Sequence, residues 1–386
     1  MNTSAQRLQL VPSQFFAALN PRIAALQAAG QEIIRLDIGS PDLPPAPHIV
    51  AALAQAAASP DSHGYQAHNG PAALRQAWAE MYRRVHGVEL DPNNEIVPLL
   101  GSKEGIFHLA QAILDPGDVV LIPDPGYITY TSGTLLAGGT PYSLPLLPER
   151  GYLPDLAAIP PKVLSQARLL WLNYPNNPTA ATAPLEFFAA AVEFARQHEL
   201  LVCHDAAYSQ VTFDGYRAHS ILEIPGAKEV AIEFNSLSKS HNMAGWRSGA
   251  AVGNVQALKA LYTYKTNADS GHFLPVMLAA VAAMTGDQGW LAGRNEIYRQ
   301  RRDCVLSALR AGGLDPATPK ASLYVWSPVL DGFTSAQFVS HLLEKAGVSL
   351  TPGTVFGQHG DRFVRIALSS PTEQINAAMQ RIQSIL

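Results

Sequence analysis

A lysine set among hydroxyl groups has the clearest chemical potential in this sequence. Lys239 lies in the stretch SLSKS, residues 236–240, directly after an apolar segment typical of a strand, and Arg247 follows eight residues later. A partly desolvated lysine beside a cation has a lowered pKa, so its free amine can attack a carbonyl carbon. The arginine and the serine hydroxyls could hold a doubly charged phosphate. Judged alone, however, the stretch fits a solvent-exposed surface lysine better.

Two other strand-like segments end in side chains suited to binding a ring. The apolar run 200–203 is followed by HDAAY, in which Asp205 and Tyr208 stand three residues apart. The run 169–172 is followed by NYPNNPT, whose prolines predict a rigid turn around Asn177, with a cis bond before Pro178 as one option. A buried carboxylate needs a partner, so we expect Asp205 to pair with a cation or to cap a helix. His204 is expected to be a hydrogen-bonded core residue.

A further turn offers backbone amides to a ligand. The predicted strand 95–100 runs into GSKEG, residues 101–105, and then into a helical pattern. Small residues between a strand and a helix leave the N–H groups of Ser102 and Lys103 at a positive helix end, which attracts anions. The spacing fits neither a P-loop nor the dinucleotide fingerprint, so an ordinary strand–helix turn remains the alternative.

These groups together match the needs of one cofactor. In open α/β sheets, ligands bind beyond the carboxyl ends of the strands, and all four segments place their polar residues there. Pyridoxal phosphate requires a lysine, an acid for its pyridine nitrogen, donors for its ring hydroxyl and a site for its phosphate. The sequence therefore predicts a pyridoxal-phosphate site built from strand ends.

The elements that carry these residues follow an α/β pattern. Apolar runs alternate with Ala-rich helical patterns from about residue 46 to residue 280, and helices are predicted over 71–85 and 184–198. The strands 119–122 and 200–203 are almost continuously apolar, which is typical of strands covered on both faces. This alternation predicts a mostly parallel, doubly wound sheet.

A change of character near residue 285 predicts a second domain. We expect a large cofactor-binding domain over 46–285 and a smaller α+β domain over 286–386, which contains a long charged helix at 295–311. Later elements of the smaller domain are a helix at 335–345, a strand at 363–368 and a last helix from residue 371. Residues 1–45 are predicted to form an N-terminal arm that packs with the smaller domain.

Composition argues against several other classes of protein. The 386 residues carry a net charge of −4, so there is no basic excess to bind nucleic acid. Cys203 and Cys304 are the two cysteines, which is incompatible with a disulfide framework or a C-x-x-C motif and suits a reducing compartment. The longest apolar run, 274–284, is too short to span a bilayer. We therefore expect a cytoplasmic protein with no membrane partner and no metal site.

At the level of motifs, the sequence resembles the class I/II aminotransferases, which are pyridoxal-phosphate enzymes of fold type I. The resemblance rests on SLSKSHNMAGWRSG, NYPNNPT and HDAAYS, which are specific in combination, and it covers nearly the whole chain. It implies a large domain with a mostly parallel mixed sheet covered by helices, plus a smaller α+β domain. The implied activity is the transfer of an amino group between an L-amino acid and a 2-oxo acid.

The resemblance also implies how the cofactor is held. Lys239 would form the Schiff base and move the proton, and Asp205 would pair with the pyridine nitrogen. Asn177 and Tyr208 would hydrogen-bond the ring oxygen, while Tyr127 would stack on the ring. The phosphate would be bound by three side chains and two backbone amides, namely those of Ser236, Ser238 and Arg247, and of Ser102 and Lys103.

The same resemblance implies a substrate site and a dimer. Arg365, in the predicted strand 363–368, would grip the substrate α-carboxylate with a bidentate fork, beside Gly39 and Asn177. An arginine on an edge strand is the alternative interpretation from the residues alone. Tyr65 would reach the phosphate in the neighbouring subunit, which implies a homodimer with composite sites, whereas an ordinary surface aromatic is the simpler interpretation.

Longer stretches narrow the expected substrate. The segments LLGSKEGIFHLAQAILDPGDVVLIPDPGY and VCHDAAYS resemble the branch of the family that acts on LL-diaminopimelate and 2-oxoglutarate in lysine biosynthesis. Transaminases of alanine, of aspartate or of broad specificity share the shorter motifs and remain the alternative. The sequence departs from the usual pattern at Ser240-His241, where Thr-Tyr is frequent, and at Ala180, where glycine is usual.

A hydrolase is the distant alternative. Ser236 and Lys239 also fit the S-x-x-K motif of Ser–Lys acyl-enzymes. The serine of that motif opens a helix, whereas Ser236 is expected to end a strand, and no S-D-N motif is present. Asp205 and the Asn-Pro loop would also have no role in such an enzyme.

Overall fold

The architecture was obtained from a computed structural model that describes residues 3–11 and 15–386, so residues 1, 2 and 12–14 of the predicted arm lie outside it. The strands are β1 Ile34–Arg35, β2 Ile96–Leu99, β3 Val119–Asp124, β4 Thr140–Pro145, β5 Ala167–Asn173, β6 Leu201–Asp205, β7 Ala231–Ser236, β8 Gly249–Gly253, β9 Tyr324–Pro328, β10 Val348–Ser349, β11 Thr351–Pro352 and β12 Phe363–Ala367. The helices are α1 Phe15–Ala28, α2 Pro47–Ala57, α3 Ala72–His86, α4 Ser102–Ile113, α5 Ile128–Leu136, α6 Pro161–Leu164, α7 Leu185–Gln197, α8 Leu237–Ser240, α9 Val255–Ala268, α10 Leu274–Thr285, α11 Trp290–Ala311, α12 Ser335–Ala346 and α13 Thr372–Gln383.

Seven strands form the central sheet, in the order β2-β8-β7-β6-β5-β3-β4. Every neighbouring pair is parallel except the two that involve β8, which runs against β2 and β7. The carboxyl ends of β2, β3, β5, β6 and β7 therefore meet at one edge, and β8 begins at that same edge. This is the edge at which the sequence places its polar groups.

Helices cover both faces of this sheet because successive strand residues point to opposite sides. In β5, Leu170 and Leu172 belong to a core cluster with Trp78 of α3 and Phe188 of α7. Trp171, between them, belongs to the cluster on the other face, which is built with α4, α5 and α9. The mostly parallel sheet between two helical layers confirms the predicted fold class.

A separate hydrophobic cluster holds the C-terminal elements together. Strands β11, β12 and β9 form an antiparallel sheet against α11, α12 and α13. Helix α12 has clear local signals, since Thr334 and Gln337 form a capping box and Gly347, at φ +64°, ends the helix. The arm joins this unit through β1, whose Ile34 pairs with Val348 of β10.

Several elements differ from the sequence-based expectation. Strands β4 and β8 were not predicted, because the exposed edge strand β4 and the small residues of β8 carry a weak apolar pattern. Helix α11 begins at Trp290 rather than at residue 295. The apolar run 274–284 is helix α10, and no helix among the described residues is long and apolar enough to cross a membrane. The domain boundaries at 45/46 and 285/286 remain predictions.

Candidate active site

The strand ends surround a cavity of about 570 Å³. It is bounded by the large sheet, by β9 and β12 of the C-terminal unit, and by the arm. The lining residues are Phe16, Asn20, Arg35, Ile38, Gly39, Ser40, Ser102, Lys103, Tyr127, Asn173, Asn177, Asp205, Ala207, Tyr208, Ser236, Ser238, Lys239, Ala244, Arg247, Tyr324 and Arg365. All the residues predicted for the site are among them except Tyr65.

Lys239 reaches the cavity from the short helix α8. Ser236 ends β7 and also caps α8, since its Oγ accepts a hydrogen bond of 3.2 Å from the Ser238 N–H. Lys239 is partly buried and its Nζ donates to the Gly39 carbonyl oxygen at 2.5 Å. Burial lowers the pKa of Lys239, and the nearby charges of Arg365 and Arg247 lower it further. The amine is therefore closer to its neutral, nucleophilic form than an exposed lysine.

The geometry at Ser236 also bears on the hydrolase alternative. Because Ser236 opens a helix as well as ending a strand, its position does not argue against a Ser–Lys site. Its Oγ, however, contacts the Ser238 N–H and donates to the Ser248 carbonyl oxygen at 3.4 Å, while Lys239 bonds elsewhere. The lysine and the serine are thus not hydrogen-bonded to each other.

Asp205 lies at the floor of the cavity, at the end of β6. Its carboxylate is buried, and Tyr130 donates to Oδ2 at 2.8 Å, while Asn173 Nδ2 holds the Asp205 carbonyl oxygen at 2.6 Å. Burial raises the pKa of Asp205, although the bond from Tyr130 opposes this. A cation placed against the carboxylate would restore its charge, which is what a protonated pyridine nitrogen offers.

Residues behind Asp205 fix its position. His204 is fully buried and its ring nitrogens contact Glu233 at 2.8 Å and the Tyr174 carbonyl oxygen at 3.0 Å, which confirms the expected core histidine. Tyr130 stacks on Trp171 with ring centroids 4.7 Å apart. Tyr130 was missed by the sequence analysis, although it lies one helical turn after Tyr127 on α5.

Arg247 and the start of α4 form a second, polar end of the cavity. Arg247 donates to the Ala244 carbonyl oxygen at 2.8 Å and lies 3.5 Å from Ser238 Oγ. Its guanidinium crosses over Gly101, where any Cβ would collide with it and where φ is +81°, so glycine is required. The first N–H groups of α4, at Ser102 and Lys103, open onto the same space. Cation, hydroxyls and helix amides together suit a phosphate.

A buried ion cluster supports this phosphate end from behind. Glu104 Oε2 accepts from the Leu100 N–H at 2.6 Å, which fixes the turn before Ser102. Lys265, almost fully buried on α9, donates to Glu104 Oε1 and to Asp269 Oδ1, both at 2.9 Å. Burial pushes the pKa of Glu104 upward, but contacts with His108 and Lys265 outweigh it and hold the pKa below its usual range. The carboxylate is thus charged and tied to two elements.

Arg365 lies at the opposite end, on β12. Its Nη1 donates to Asn177 Oδ1 and its Nη2 to the Asp37 carbonyl oxygen, both at 2.9 Å. The guanidinium lies between the rings of Tyr324 and Phe356, with 4.3 and 4.8 Å to the centroids. Its buried Nε has no hydrogen-bond partner among the described residues. A buried arginine with an unused donor suits a carboxylate ligand.

Tyr324 lies between Tyr208 and Arg365 and was not predicted. Its hydroxyl is 2.8 Å from that of Tyr208, and burial raises the pKa of Tyr208 well above its usual value. A Cβ at Gly39 would collide with the Tyr324 ring, so glycine is needed where the arm crosses the cavity. Tyr324 lies in an ordinary apolar strand, which gives no sequence signal for a role in the site.

The two remaining predicted tyrosines differ in where they lie, one inside the cavity and one outside it. Tyr127 lines the cavity and contacts Tyr130 edge to face, with ring centroids 5.7 Å apart. Tyr65 is 96% exposed and lies outside the cavity of this single chain.

The Asn-Pro loop has an unusual backbone. The Asn177–Pro178 bond is cis, and Ala180 adopts φ +58°, a conformation that favours glycine, the residue usual at this position in the family.

Comparison with known proteins agrees with this donor set. The sequence profile described as aminotransferase class I and II matches residues 31–382. An LL-diaminopimelate aminotransferase of Moorella thermoacetica is 49% identical, covering 99% of this chain and 98% of that protein, and one of Dehalococcoides mccartyi is 48% identical, covering 98% and 97%. The structure of apo-BacF from Bacillus subtilis is 39% identical with a TM-score of 0.96, covering 100% of this chain and 98% of that one. A lysine, a buried acid with no cationic partner among the described residues, and a polar end with an arginine and helix amides fit pyridoxal phosphate. The chain belongs to the class I and II aminotransferases and is a pyridoxal-phosphate-dependent transaminase.

Proposed function

We propose that this protein transfers an amino group between LL-diaminopimelate and 2-oxoglutarate, as a step of lysine biosynthesis. The observation that carries the proposal is near-full-length identity of 48–49% to relatives named for that reaction. The cavity adds support, because it places an arginine for an α-carboxylate and a lysine for the amino group in one space.

The proposed catalytic work rests with Lys239. Bound pyridoxal phosphate supplies a carbonyl carbon for the amino group and a ring that accepts an electron pair. The Lys239 amine, with its lowered pKa, would hold the cofactor and would then take up and return a proton at Nζ. Asp205 would keep the pyridine nitrogen protonated, with Tyr130 holding the carboxylate in place.

Residues at the Arg365 end of the cavity would orient the substrate and the cofactor ring. Arg365 would bind the α-carboxylate, and its bond to Asn177 would fix the side chain that would hold the ring oxygen. Tyr208 would donate to the same ring oxygen, with Tyr324 behind it. The reacting carbon would thereby lie between Arg365 and Lys239.

The phosphate end gives the first prediction. Replacing Lys265 with Met should weaken pyridoxal-phosphate binding about tenfold, because Glu104 and Asp269 lose their shared cation and the turn before Ser102 loosens. Titration of the apoprotein by absorbance measures this. Binding of pyridoxal, which lacks the phosphate, should be unchanged, as should both affinities in the Lys259→Met control on the same helix. Equal weakening for both ligands would show that Lys265 acts on the whole site.

We further propose a homodimer in which Tyr65 completes the partner's phosphate site. The 96% exposure of Tyr65 in the single chain supports this, because its ring and hydroxyl are accessible to a second copy of the chain. Replacing Tyr65 with Phe should raise the dissociation constant of the cofactor several-fold, and Tyr142→Phe, on the edge strand β4, should not. Light scattering should report a dimer in each case. A monomer with full cofactor affinity would contradict the proposal.

Location and domain organisation complete the proposal. Cys203 is buried and Cys304 is partly buried, and both are free thiols, which supports a reducing compartment such as the cytoplasm. The separate core cluster of the C-terminal elements supports an arm over 1–45, a large domain over 46–285 and a small domain over 286–386.

A direct assay tests the proposed substrate. Purified protein with pyridoxal phosphate is incubated with LL-diaminopimelate and 2-oxoglutarate, and glutamate is measured. We expect glutamate to form many times faster than with alanine or aspartate as donor at the same concentration. A faster reaction with alanine or aspartate would overturn the substrate and favour the alternative transaminases.

A further inference from the structure

We propose that Arg35 and Asn20, on the N-terminal arm, form a second subsite of the active-site cavity that binds the far end of the substrate. The group it would take is a carboxylate beside an ammonium, as at the second end of a diamino dicarboxylic acid. The inference rests on the proposed function and deepens it, because Arg365 accounts only for the reacting end.

The first observation is an arginine in the cavity that its own partners do not saturate. Arg35 Nε and Nη2 bind the Asp37 carboxylate at 2.7 and 2.6 Å, and Nη2 also reaches Asn20 Oδ1 at 3.2 Å. Nη1 has no hydrogen bond to any described residue. The side chain is 26% exposed and lines the cavity, whereas that of Asp37 is fully buried. Arg35 therefore has one donor left for a ligand in the cavity that it lines.

The second observation places this donor relative to the reacting end. The Asp37 carbonyl oxygen accepts from Arg365, while the Asp37 carboxylate accepts from Arg35. The two guanidinium groups are therefore separated by about one residue and two hydrogen bonds, within roughly 10 Å. Two residues further on, the Gly39 carbonyl oxygen contacts Lys239. The segment 35–39 would thus run past both ends of a bound substrate.

The third observation concerns the surface between the two ends. Phe16 and Ile38 line the cavity and are 37% and 42% exposed, so they present apolar surface to it. Such a surface suits a chain of methylene groups. A long substrate would be bound by charge at each end and by apolar contact in the middle.

The charges select the chemistry of the far end. Because Asp37 neutralises Arg35, the subsite as a whole favours a zwitterion over a bare anion. The Arg35 Nη1–H would donate to the far carboxylate, and Asn20 Oδ1, which is exposed, would accept from the far ammonium. A substrate with only a far carboxylate would use half of the subsite.

The test compares three amino acids with the holoenzyme. LL-diaminopimelate carries both far groups, L-2-aminopimelate carries the carboxylate alone, and alanine carries neither. Replacing Arg35 with Met should lower kcat/KM at least about tenfold for the first two and leave alanine within about twofold. Replacing Asn20 with Ala should lower kcat/KM for LL-diaminopimelate alone. Arg22→Met, on the same helix as Asn20 but outside the cavity, should change none of them.

Each contrary result has a distinct meaning. An equal loss with all three amino acids would show that Arg35 acts through Asp37 on Arg365, and no loss would show that it binds nothing; both overturn the subsite. Arg35→Lys, which keeps a charge beside Asp37 but lacks the fork, should reproduce the selective loss if Arg35→Met does not fold. Wild-type protein that accepts L-2-aminopimelate but not LL-diaminopimelate would refute the proposed substrate and the ammonium contact. In that case the effect of Arg35→Met on kcat/KM for L-2-aminopimelate would test the role of Arg35.

Discussion

Replacing Lys239 with Ala is expected to lower the transamination rate at least about a thousandfold. Lys239 lines the cavity together with Asp205, and burial together with two arginines lowers its pKa. An alanine can neither attach the cofactor nor move a proton. The visible absorbance of the covalently attached cofactor should also disappear, while pyridoxal phosphate should still bind reversibly.

The control for this variant is Lys162→Ala, which removes an exposed lysine from the short helix α6. It should keep full activity and the wild-type spectrum. Circular dichroism should show both variants folded, because the Lys239 side chain makes a single hydrogen bond to the described residues, to the Gly39 carbonyl oxygen, and alanine keeps the backbone bond to Arg294. A Lys239→Ala variant that retained wild-type turnover would contradict the assignment of the reacting amine.

Replacing Arg365 with Lys is expected to lower kcat/KM about ten- to hundredfold for every amino-acid substrate. An ammonium keeps the positive charge but lacks the planar fork that bonds Asn177 and the Asp37 carbonyl oxygen while pairing with a carboxylate. Because the α-carboxylate is common to all amino acids, the loss should not depend on the side chain of the substrate. Steady-state kinetics with two donors measures this.

A nearby arginine provides the matched control. Arg362 is exposed and binds Asp331 and the Phe333 carbonyl oxygen, outside the cavity. Arg362→Lys should leave kcat/KM unchanged. If Arg365→Lys were as active as the wild type, the α-carboxylate would have to bind elsewhere.

The sequence was sufficient for residues that lie next to strand ends within dense motifs. Lys239 and Asn177 follow strands of the central sheet and Asp205 ends one, so one rule about ligand position located them, whereas Arg247 was found through its spacing from Lys239. Parallel strands, buried on both faces, also leave an apolar pattern that is easily recognised. The antiparallel strand β8 left no such pattern, yet it is what returns Arg247 to the same edge.

The sequence was insufficient where long-range packing builds the site. Tyr324 and Tyr208 are 116 positions apart, and only the packing of the C-terminal unit onto the sheet brings their hydroxyls together. The same holds for Lys265 and Glu104, 161 positions apart, and for the arm residue Arg35. No local pattern marks such residues, because their neighbours along the chain are unrelated to their contacts.

The most direct test of the central claim is the visible spectrum of the holoenzyme after each of four amino acids is added separately. LL-diaminopimelate, glutamate, alanine and aspartate would be compared at equal concentration. We predict that the absorbance of the lysine-bound cofactor converts to that of its amino form fastest with LL-diaminopimelate, more slowly with glutamate, and hardly at all with alanine and aspartate. Conversion by alanine or aspartate but not by LL-diaminopimelate would contradict the proposed substrate, and no conversion by any of them would contradict the proposed site.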